Sequence, residues 1–157
     1  VSHTAPYRHF PDKAALIIAV ADEGFRQLTE SLREATVGDT PLERFLKGAQ
    51  AYIQFAVSHP AHYRVMFGPA VVGLGQGPMQ LESANEAFAV LLETIVDAQQ
   101  SGVIKEGDPL HLGVVVWSTV HGAAALMING LIREENVDPE IVSAHVASTI
   151  FEGLAKR

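Results

Sequence analysis

The sequence contains no cysteine and few charged residues. The lack of cysteine among 157 residues excludes disulfides and thiolate metal sites, and it permits a reducing compartment. Charged residues make up 18% of the chain and hydrophobic residues 48%, which is ordinary for a globular protein and excludes a disordered chain. Because the pattern of a signal peptide is also missing, we expect a cytoplasmic protein.

Acidic residues are missing from the first eleven positions, although the chain as a whole carries a net charge of -7. That segment holds His3, Arg8 and His9, whereas glutamate dominates from Glu23 onward. An acidic protein is not a general nucleic-acid binder, because such proteins are normally basic. A cationic end on an acidic body is nevertheless compatible with DNA contact confined to that end.

Residues 112–132 contain no Asp, Glu, Lys or Arg, and 21 residues are about the length of a membrane span. The segment also holds Ser118, Thr119, His121 and Asn129, a heavy polar load for lipid. A helix that is apolar on every side is equally typical of a central core or interface helix. We therefore predict a buried or interface helix and no membrane partner.

The periodicity of the sequence predicts helices, and no segment shows sustained strand alternation. A strong start signal is Thr40 as N-cap with Pro41 in the first turn and Glu43 three residues after the cap. Residues 68–78, rich in glycine and proline, are predicted to be a loop. The predicted helices cover about 12–35, 41–58, 60–67, 79–101, 109–133 and 139–156. The predicted fold class is all-α.

A short polar helix is predicted before Phe10, followed by the breaker Pro11-Asp12-Lys13 and a long helix. Such a short helix must dock on neighbours to be stable. The Tyr7-Arg8-His9-Phe10 cluster and the lysine three residues later resemble the recognition helix and following turn of the TetR (tetracycline-repressor) family of transcriptional regulators. The resemblance implies a partial helix-turn-helix over 1–11, whose first half is missing, and a helical-bundle ligand-binding and dimerisation domain over 12–157.

The resemblance also implies contacts with a double-stranded DNA operator, made only when the missing N-terminal helices are present. Phosphate contacts fix the register of such a protein on DNA, whereas base-edge contacts read sequence. The implied phosphate or sugar contacts are Tyr7, His9 and Lys13, with Arg8 able to reach phosphates or base edges. The residues nearest the base edges are Ser2, His3, Thr4 and Ala5. By spacing alone, the alternative is a solvated polar turn.

Trp117 and His121 are four residues apart and therefore share a helix face. Trp117-x-x-x-His121-Gly122 resembles a TetR subgroup named for this pattern. We expect a mostly apolar cavity between the middle helices and this helix, with His121 as its polar wall and Tyr52 or Tyr63 as a hydrogen-bond partner. The candidate ligand-binding residues are Tyr52, Phe55, Tyr63, Met66, Phe67, Phe88, Trp117 and His121. For each of them the alternative is an ordinary core position.

The last two predicted helices are rich in small residues, which permit close helix approach either in a core or in a dimer interface. The family forms its homodimer with this pair. The candidate interface residues are Gly122, Ala125, Asn129, Ala144, Ala147 and Ser148. The implied function is a transcriptional repressor that a small, mostly apolar effector releases from its operator.

No metal, cofactor or catalytic set is predicted. His59-x-x-His62 is a weak pair without a third ligand, and Gly73-x-Gly75-x-Gly77 does not follow a strand as a phosphate loop does. We therefore expect no enzyme. An all-helical enzyme that uses the same cavity remains the alternative and would be revealed by turnover of a ligand. A stand-alone helical binding module would be recognised by the lack of further basic, helical residues upstream in the gene.

Overall fold

The computed structural model of the chain describes residues 10–38, 40–72, 80–132 and 138–156. In these ranges the only extended pairing is an isolated bridge between Ile104 and Ala155, so the predicted all-α class is confirmed. Of the predicted recognition-helix segment, 1–11, residues 1–9 lie outside the described residues. The helices are α1 (Lys13–Ala35), α2 (Pro41–Ser58), α3 (Pro60–Met66), α4 (Pro69–Val72), α5 (Glu82–Gln100), α6 (Pro109–Ile128) and α7 (Pro139–Leu154).

Four helices begin where their capping residues predict. The Asp12 carboxylate accepts a backbone hydrogen bond of 2.8 Å from the first turn of α1. Thr40 and Glu43 form a reciprocal capping box at α2, with both bonds at 3.2 Å. The Asp108 and Asp138 carboxylates accept backbone hydrogen bonds from the first turns of α6 and α7, each before a proline at the helix start. These caps satisfy backbone donors that the helices leave without partners.

The predicted end of α6 near residue 133 is wrong, because the helix ends at Ile128. Gly130 adopts a φ of 68°, and its N–H donates to the carbonyl of Met127 at 3.0 Å. The N–H of Leu131 donates to the carbonyl of Leu126 at 3.0 Å. This pair of bonds is a Schellman motif, which needs a left-handed residue and therefore favours glycine.

The predicted loop over 68–78 is also partly wrong, since Pro69–Val72 forms the short helix α4. Val71 is only 1% exposed, so this turn anchors the segment in the core. Residues 73–79, with the three spaced glycines, lie outside the described residues. The next helix begins at Glu82 and not at Met79, because Leu81 is in an extended conformation (φ -80°, ψ 132°).

Helix α2 is central and packs against α1, α5, α6 and α7. The first two long helices each turn an apolar face inward. Phe25 and Leu28 of α1, and Phe45 and Ile53 of α2, are all at most 3% exposed. Burial of such apolar side chains is the main favourable contribution to folding.

Helix α6 is long and apolar enough to cross a membrane by length and composition, with a mean hydropathy of 1.5, a test that core helices of soluble proteins also pass. Only 22% of the most apolar 18-residue stretch of this helix is buried in the single chain. One stripe, which includes Val116 and Val120, packs inward, whereas Val114 and Leu126 are 46% and 44% exposed. A purely core position is therefore excluded, and the interface alternative remains.

Candidate ligand-binding cavity

Four side chains from three helices meet in one hydrogen-bonded group, here called the polar cluster: Tyr52 of α2, Tyr63 of α3, and Trp117 and His121 of α6. Trp117 Nε1 donates to Tyr52 Oη at 3.1 Å. Tyr52 Oη lies 3.2 Å from Tyr63 Oη and 3.0 Å from His121 Nδ1. Tyr63 Oη lies 2.6 Å from the same His121 nitrogen. The predicted partners of His121 are thus both present.

Helix spacing and aromatic packing hold the cluster in place. Trp117 and His121, one helical turn apart, present their rings to the same neighbours. The Tyr63 ring stacks on His121 with centroids 5.4 Å apart. Phe67 meets the same imidazole edge-on at 4.6 Å. Tyr52 meets Tyr63 edge-on at 6.0 Å, the geometry that aromatic quadrupoles favour.

Burial favours the neutral forms of Tyr52, Tyr63 and His121. It raises the pKa of Tyr52 to about 12, and it is the main cause of the raised pKa of Tyr63. Burial also lowers the pKa of His121, because the imidazolium would lose its hydration. When the neutral imidazole carries its proton on Nε2, its Nδ1 accepts a hydrogen bond. Both tyrosine hydroxyl groups can then donate to acceptors within the cluster.

A cavity of about 60 Å³ adjoins the polar cluster. Its walls come from α1, α2, α5 and α6, together with Phe67 after α3. None of the described residues that line it is charged. They are Phe25, Leu28, Leu32, Thr36, Phe45, Gly48, Ala49, Tyr52, Phe67, Ala84, Ala87, Phe88, Val90, Leu91, Thr94, Val116, Trp117 and Val120. This is the apolar composition typical of small-molecule sites.

Half of the candidate ligand-binding residues line this cavity: Tyr52, Phe67, Phe88 and Trp117. The prediction that His121 forms the polar wall needs correction, because the polar side chains of the lining are Thr36, Tyr52, Thr94 and Trp117. The imidazole is hydrogen-bonded to Tyr52 and is not itself among the lining residues. Tyr63 likewise reaches the cavity only through Tyr52.

Phe55 and Met66 are buried but do not line the cavity. Phe55 stacks on His59 with ring centroids 4.8 Å apart. Met66, fully buried, packs so closely on α1 that a Cβ at Gly24 would lie 2.6 Å from its Sδ. Both are core residues, because their neighbours in the single chain account for their burial.

The residues that sequence reasoning missed lie mainly on α1 and α5. Phe25, Leu28 and Leu32 of α1 and Ala87 and Leu91 of α5 are among the lining residues. Helical periodicity assigns such residues to an inward face, but it gives no information on where packing leaves a gap. The threonines of the lining, Thr36 and Thr94, were a usable signal, because polar residues on an inward face are uncommon.

The other candidate residues are placed as follows. Lys13 is exposed at the first position of α1, whereas Ser2, His3, Thr4, Ala5, Tyr7, Arg8 and His9 lie outside the described residues. The rings of His59 and His62 are 6.4 Å apart. No group of three or more potential metal ligands occurs in the described part of the chain.

The candidate interface residues do not share one environment. Asn129 is exposed, while Gly122, Ala125, Ala144 and Ser148 are partly buried. Ala147 is 0% exposed within the single chain, so it belongs to the core and does not fit the interface prediction. It faces inward because α7 packs against α2 and α6.

Comparison with known proteins adds independent evidence. A family model described as tetracyclin repressor-like, C-terminal domain, matches residues 45–149, more than half of the chain. A comparison with curated proteins gives no match. Among solved structures, a protein of unknown function from Rhodococcus sp. RHA1 superposes with a TM-score of 0.79 at 29% identity, over 99% of this chain and 80% of that one.

Two further solved structures share the fold at lower identity. A tetR-family bacterial regulatory protein from Rhodococcus RHA1 has a TM-score of 0.80 at 17% identity, over 100% of this chain and 82% of that one. The TetR-family transcriptional regulator PfmR from Thermus thermophilus has a TM-score of 0.80 at 17% identity, over 99% and 84%. The fold is therefore that of this class of helical transcriptional regulators. The chain belongs to the tetracycline-repressor-like (TetR) family.

Proposed function

We propose that this protein is a cytoplasmic, homodimeric transcriptional repressor whose operator affinity is released by a small, mostly apolar effector bound in the cavity. One observation carries the proposal. The wall of the cavity includes Phe25, Leu28 and Leu32 of α1, and α1 begins at Lys13, directly after the segment that resembles a recognition helix. A molecule in the cavity therefore touches the helix that leads to the proposed DNA-binding residues.

The small size of the cavity supports coupling between binding and movement. An apolar cavity of roughly 150 Å³ accommodates benzene, whereas this one measures about 60 Å³. Protein interiors are closely packed, so a larger effector must displace the surrounding helices. Displacement of α1 changes the spacing of the two recognition helices in a dimer, and operator binding depends on that spacing. The effector then stabilises the conformation that does not fit DNA.

The outer surface of α6 and α7 supports the proposed homodimer. Val114, Val115 and Leu126 of α6 and Ile141 of α7 are between 44% and 55% exposed. Large apolar side chains left exposed on these two helices support a protein interface there. A Cβ on Gly122 would have open space around it, so this part of the surface permits close approach of a second copy. The proposed interface keeps Gly122, Ala125, Asn129, Ala144 and Ser148.

The Trp-x-x-x-His-Gly subgroup remains part of the proposal. The described contacts give this pattern a physical role, since Trp117 and His121 both hydrogen-bond to Tyr52. They link α6 to α2 next to the cavity. The pattern thus supports the wall of the proposed effector site.

DNA selection with the full gene product tests the proposal. We expect enrichment of a two-fold symmetric site from random double-stranded DNA, followed by release of that DNA when uncharged small molecules are added. The variant Ala87→Val fills part of the cavity and should keep DNA binding but lose release. Ala89→Val, on the same helix but off the cavity, is the matched control. Failure to enrich a symmetric site would contradict the proposed function.

A further inference from the structure

We propose that the cavity selects its effector by hydrogen-bond character: it binds uncharged hydrocarbons and alcohols but discriminates against ketones and carboxylates of the same size. The inference deepens the proposed function and rests on it. It follows from the state of the polar side chains that line the cavity, namely Thr36, Thr94, Tyr52 and Trp117. Each has a single side-chain hydrogen-bond donor.

Both threonine hydroxyls donate within their own helices. Thr36 Oγ1 donates to the carbonyl of Leu32 at 2.8 Å. Thr94 Oγ1 donates to the carbonyl of Val90 at 2.8 Å. Each hydroxyl proton is therefore already in use, but each oxygen retains lone pairs that accept hydrogen bonds. Among the described lining residues, the side chains near α1 and α5 offer acceptors and no uncommitted donor.

The two aromatic donors are committed to the polar cluster. Trp117 Nε1–H donates to Tyr52 Oη at 3.1 Å. Tyr52 Oη has three neighbours within 3.2 Å: the Trp117 nitrogen, the Tyr63 oxygen and His121 Nδ1. The Tyr52 oxygen accepts from Trp117, and its one donor is used within the cluster, toward the Tyr63 oxygen or His121 Nδ1. All four side-chain donors of the described lining are thus engaged before any ligand enters.

A ligand that only accepts hydrogen bonds loses its bonds to water when it binds. It finds no free side-chain donor among the described residues of the wall to replace them. An unpaired buried acceptor weakens binding by roughly 10- to 100-fold. A carboxylate also carries its charge into an uncharged wall, which is more unfavourable still. An alcohol instead donates its proton to a threonine oxygen, so it retains one of its hydrogen bonds.

The test uses four probes with equal numbers of non-hydrogen atoms: methylcyclopentane, cyclopentanol, cyclopentanone and butanoate. Trp117 is the only tryptophan of the chain and lines the cavity, so its fluorescence reports binding directly. The decisive comparison is between the alcohol and the ketone. We expect cyclopentanol to bind at least tenfold more tightly than cyclopentanone, methylcyclopentane to bind, and butanoate not to bind.

Two matched variants test how the number of free hydrogen-bond donors on the cavity wall affects binding. Tyr52→Phe removes the acceptor of the Trp117 N–H and leaves this donor free on the wall, so cyclopentanone should bind about tenfold more tightly than in the parent protein. Tyr63→Phe makes the same chemical change away from the wall. It leaves the bond between Trp117 and Tyr52 in place and should preserve the preference for the alcohol.

The outcomes separate the inference from the proposed function. Equal binding of ketone and alcohol in the parent protein, or tight binding of butanoate, overturns the selectivity while leaving a ligand-binding cavity. If none of the four probes alters Trp117 fluorescence up to its solubility limit, both the selectivity and the effector site are overturned. Because the parent protein alone decides the first comparison, poor folding of a variant does not remove the test.

Discussion

The hydroxyl oxygen of Tyr63 lies 2.6 Å from Nδ1 of His121 and joins α3 to α6 through a partly buried hydrogen bond. With the ring proton on Nε2, the Nδ1 atom of a neutral imidazole accepts this hydrogen bond from the tyrosine hydroxyl. Burial favours the same state by lowering the pKa of His121. Hydrogen bonding and desolvation therefore both favour the neutral form of His121.

The first prediction concerns pH. Because the pKa of His121 is lower in the folded than in the unfolded protein, the unfolded state binds more protons below about pH 6.5. The free energy of unfolding should therefore fall as the pH drops from about 6.5 toward the lowered folded value, by at most about 1.4 kcal/mol per pH unit. Urea unfolding between pH 5 and pH 8 measures this dependence.

His121→Gln should flatten that dependence, since glutamine does not titrate. His111→Gln is the matched control on the same helix, because His111 is exposed and does not take part in the polar cluster. An unchanged slope in His121→Gln would show that the buried imidazole is not the origin of the pH effect.

The second prediction compares the two tyrosines of the cluster. Tyr52→Phe removes the acceptor of the Trp117 N–H and should lower the free energy of unfolding by about 1–3 kcal/mol. Tyr63→Phe should cost less, about 0.5–1.5 kcal/mol, because Tyr52 still lies 3.0 Å from His121 Nδ1 and replaces the lost donor. Thermal or urea unfolding of the two variants checks the order, and the reverse order would refute this accounting of the protons.

The helices of this protein were predictable because their starts are encoded locally. Asp12, Thr40, Asp108 and Asp138 each cap a helix at the position that the sequence predicts. The helix ends were harder to predict. Gly130 indicates the end of α6, but apolar residues continue beyond it, so the periodicity predicted a longer helix.

The candidate site was predictable in its chemistry but not in its geometry. The spacing of Trp117 and His121 predicted a shared face and a buried partner, and Tyr52 and Tyr63 supply it. Which aromatic residues border a gap depends on how four helices pack, and this is not encoded in any one segment. Phe55 was therefore indistinguishable from Phe67 in the sequence, although only Phe67 lines the cavity.

The third prediction tests the proposed homodimer. Leu126→Glu places a charge on the exposed surface of α6 and should give a folded monomer, because Leu126 is 44% exposed in the single chain. Val37→Glu is the matched control, since Val37 is 77% exposed in the turn between α1 and α2 and should leave the dimer intact. Light scattering at micromolar concentration and circular dichroism report mass and fold.

A monomeric parent protein under these conditions would refute the dimer. Ala147→Glu is expected to behave differently from Leu126→Glu. Because Ala147 is fully buried, the charge should unfold the chain and not merely separate the subunits.

The fourth prediction concerns the close approach of α3 to α1. A Cβ at Gly24 would lie 2.6 Å from Met66 Sδ and 2.8 Å from its Cγ. Gly24→Ala should therefore lower the free energy of unfolding by about 1–3 kcal/mol through overpacking. Gly153→Ala on α7 has open space around its Cβ and should be neutral or stabilising by up to about 1 kcal/mol. Equal melting temperatures for the two variants would contradict the close contact.

The last prediction concerns DNA binding by the full gene product. Lys13 is exposed at the first position of α1, where the resemblance implies a phosphate contact. Lys13→Ala should weaken binding about equally on all DNA sequences and lower the slope of log affinity against log salt by about one, because one fewer counterion is released. Tyr7→Phe, outside the described residues, should also weaken binding without changing sequence preference. Lys47→Ala, an exposed lysine on α2, is the control and should bind as the parent protein does. Fluorescence anisotropy at several salt concentrations measures both quantities, and a loss confined to one operator base would identify Lys13 as a base contact instead.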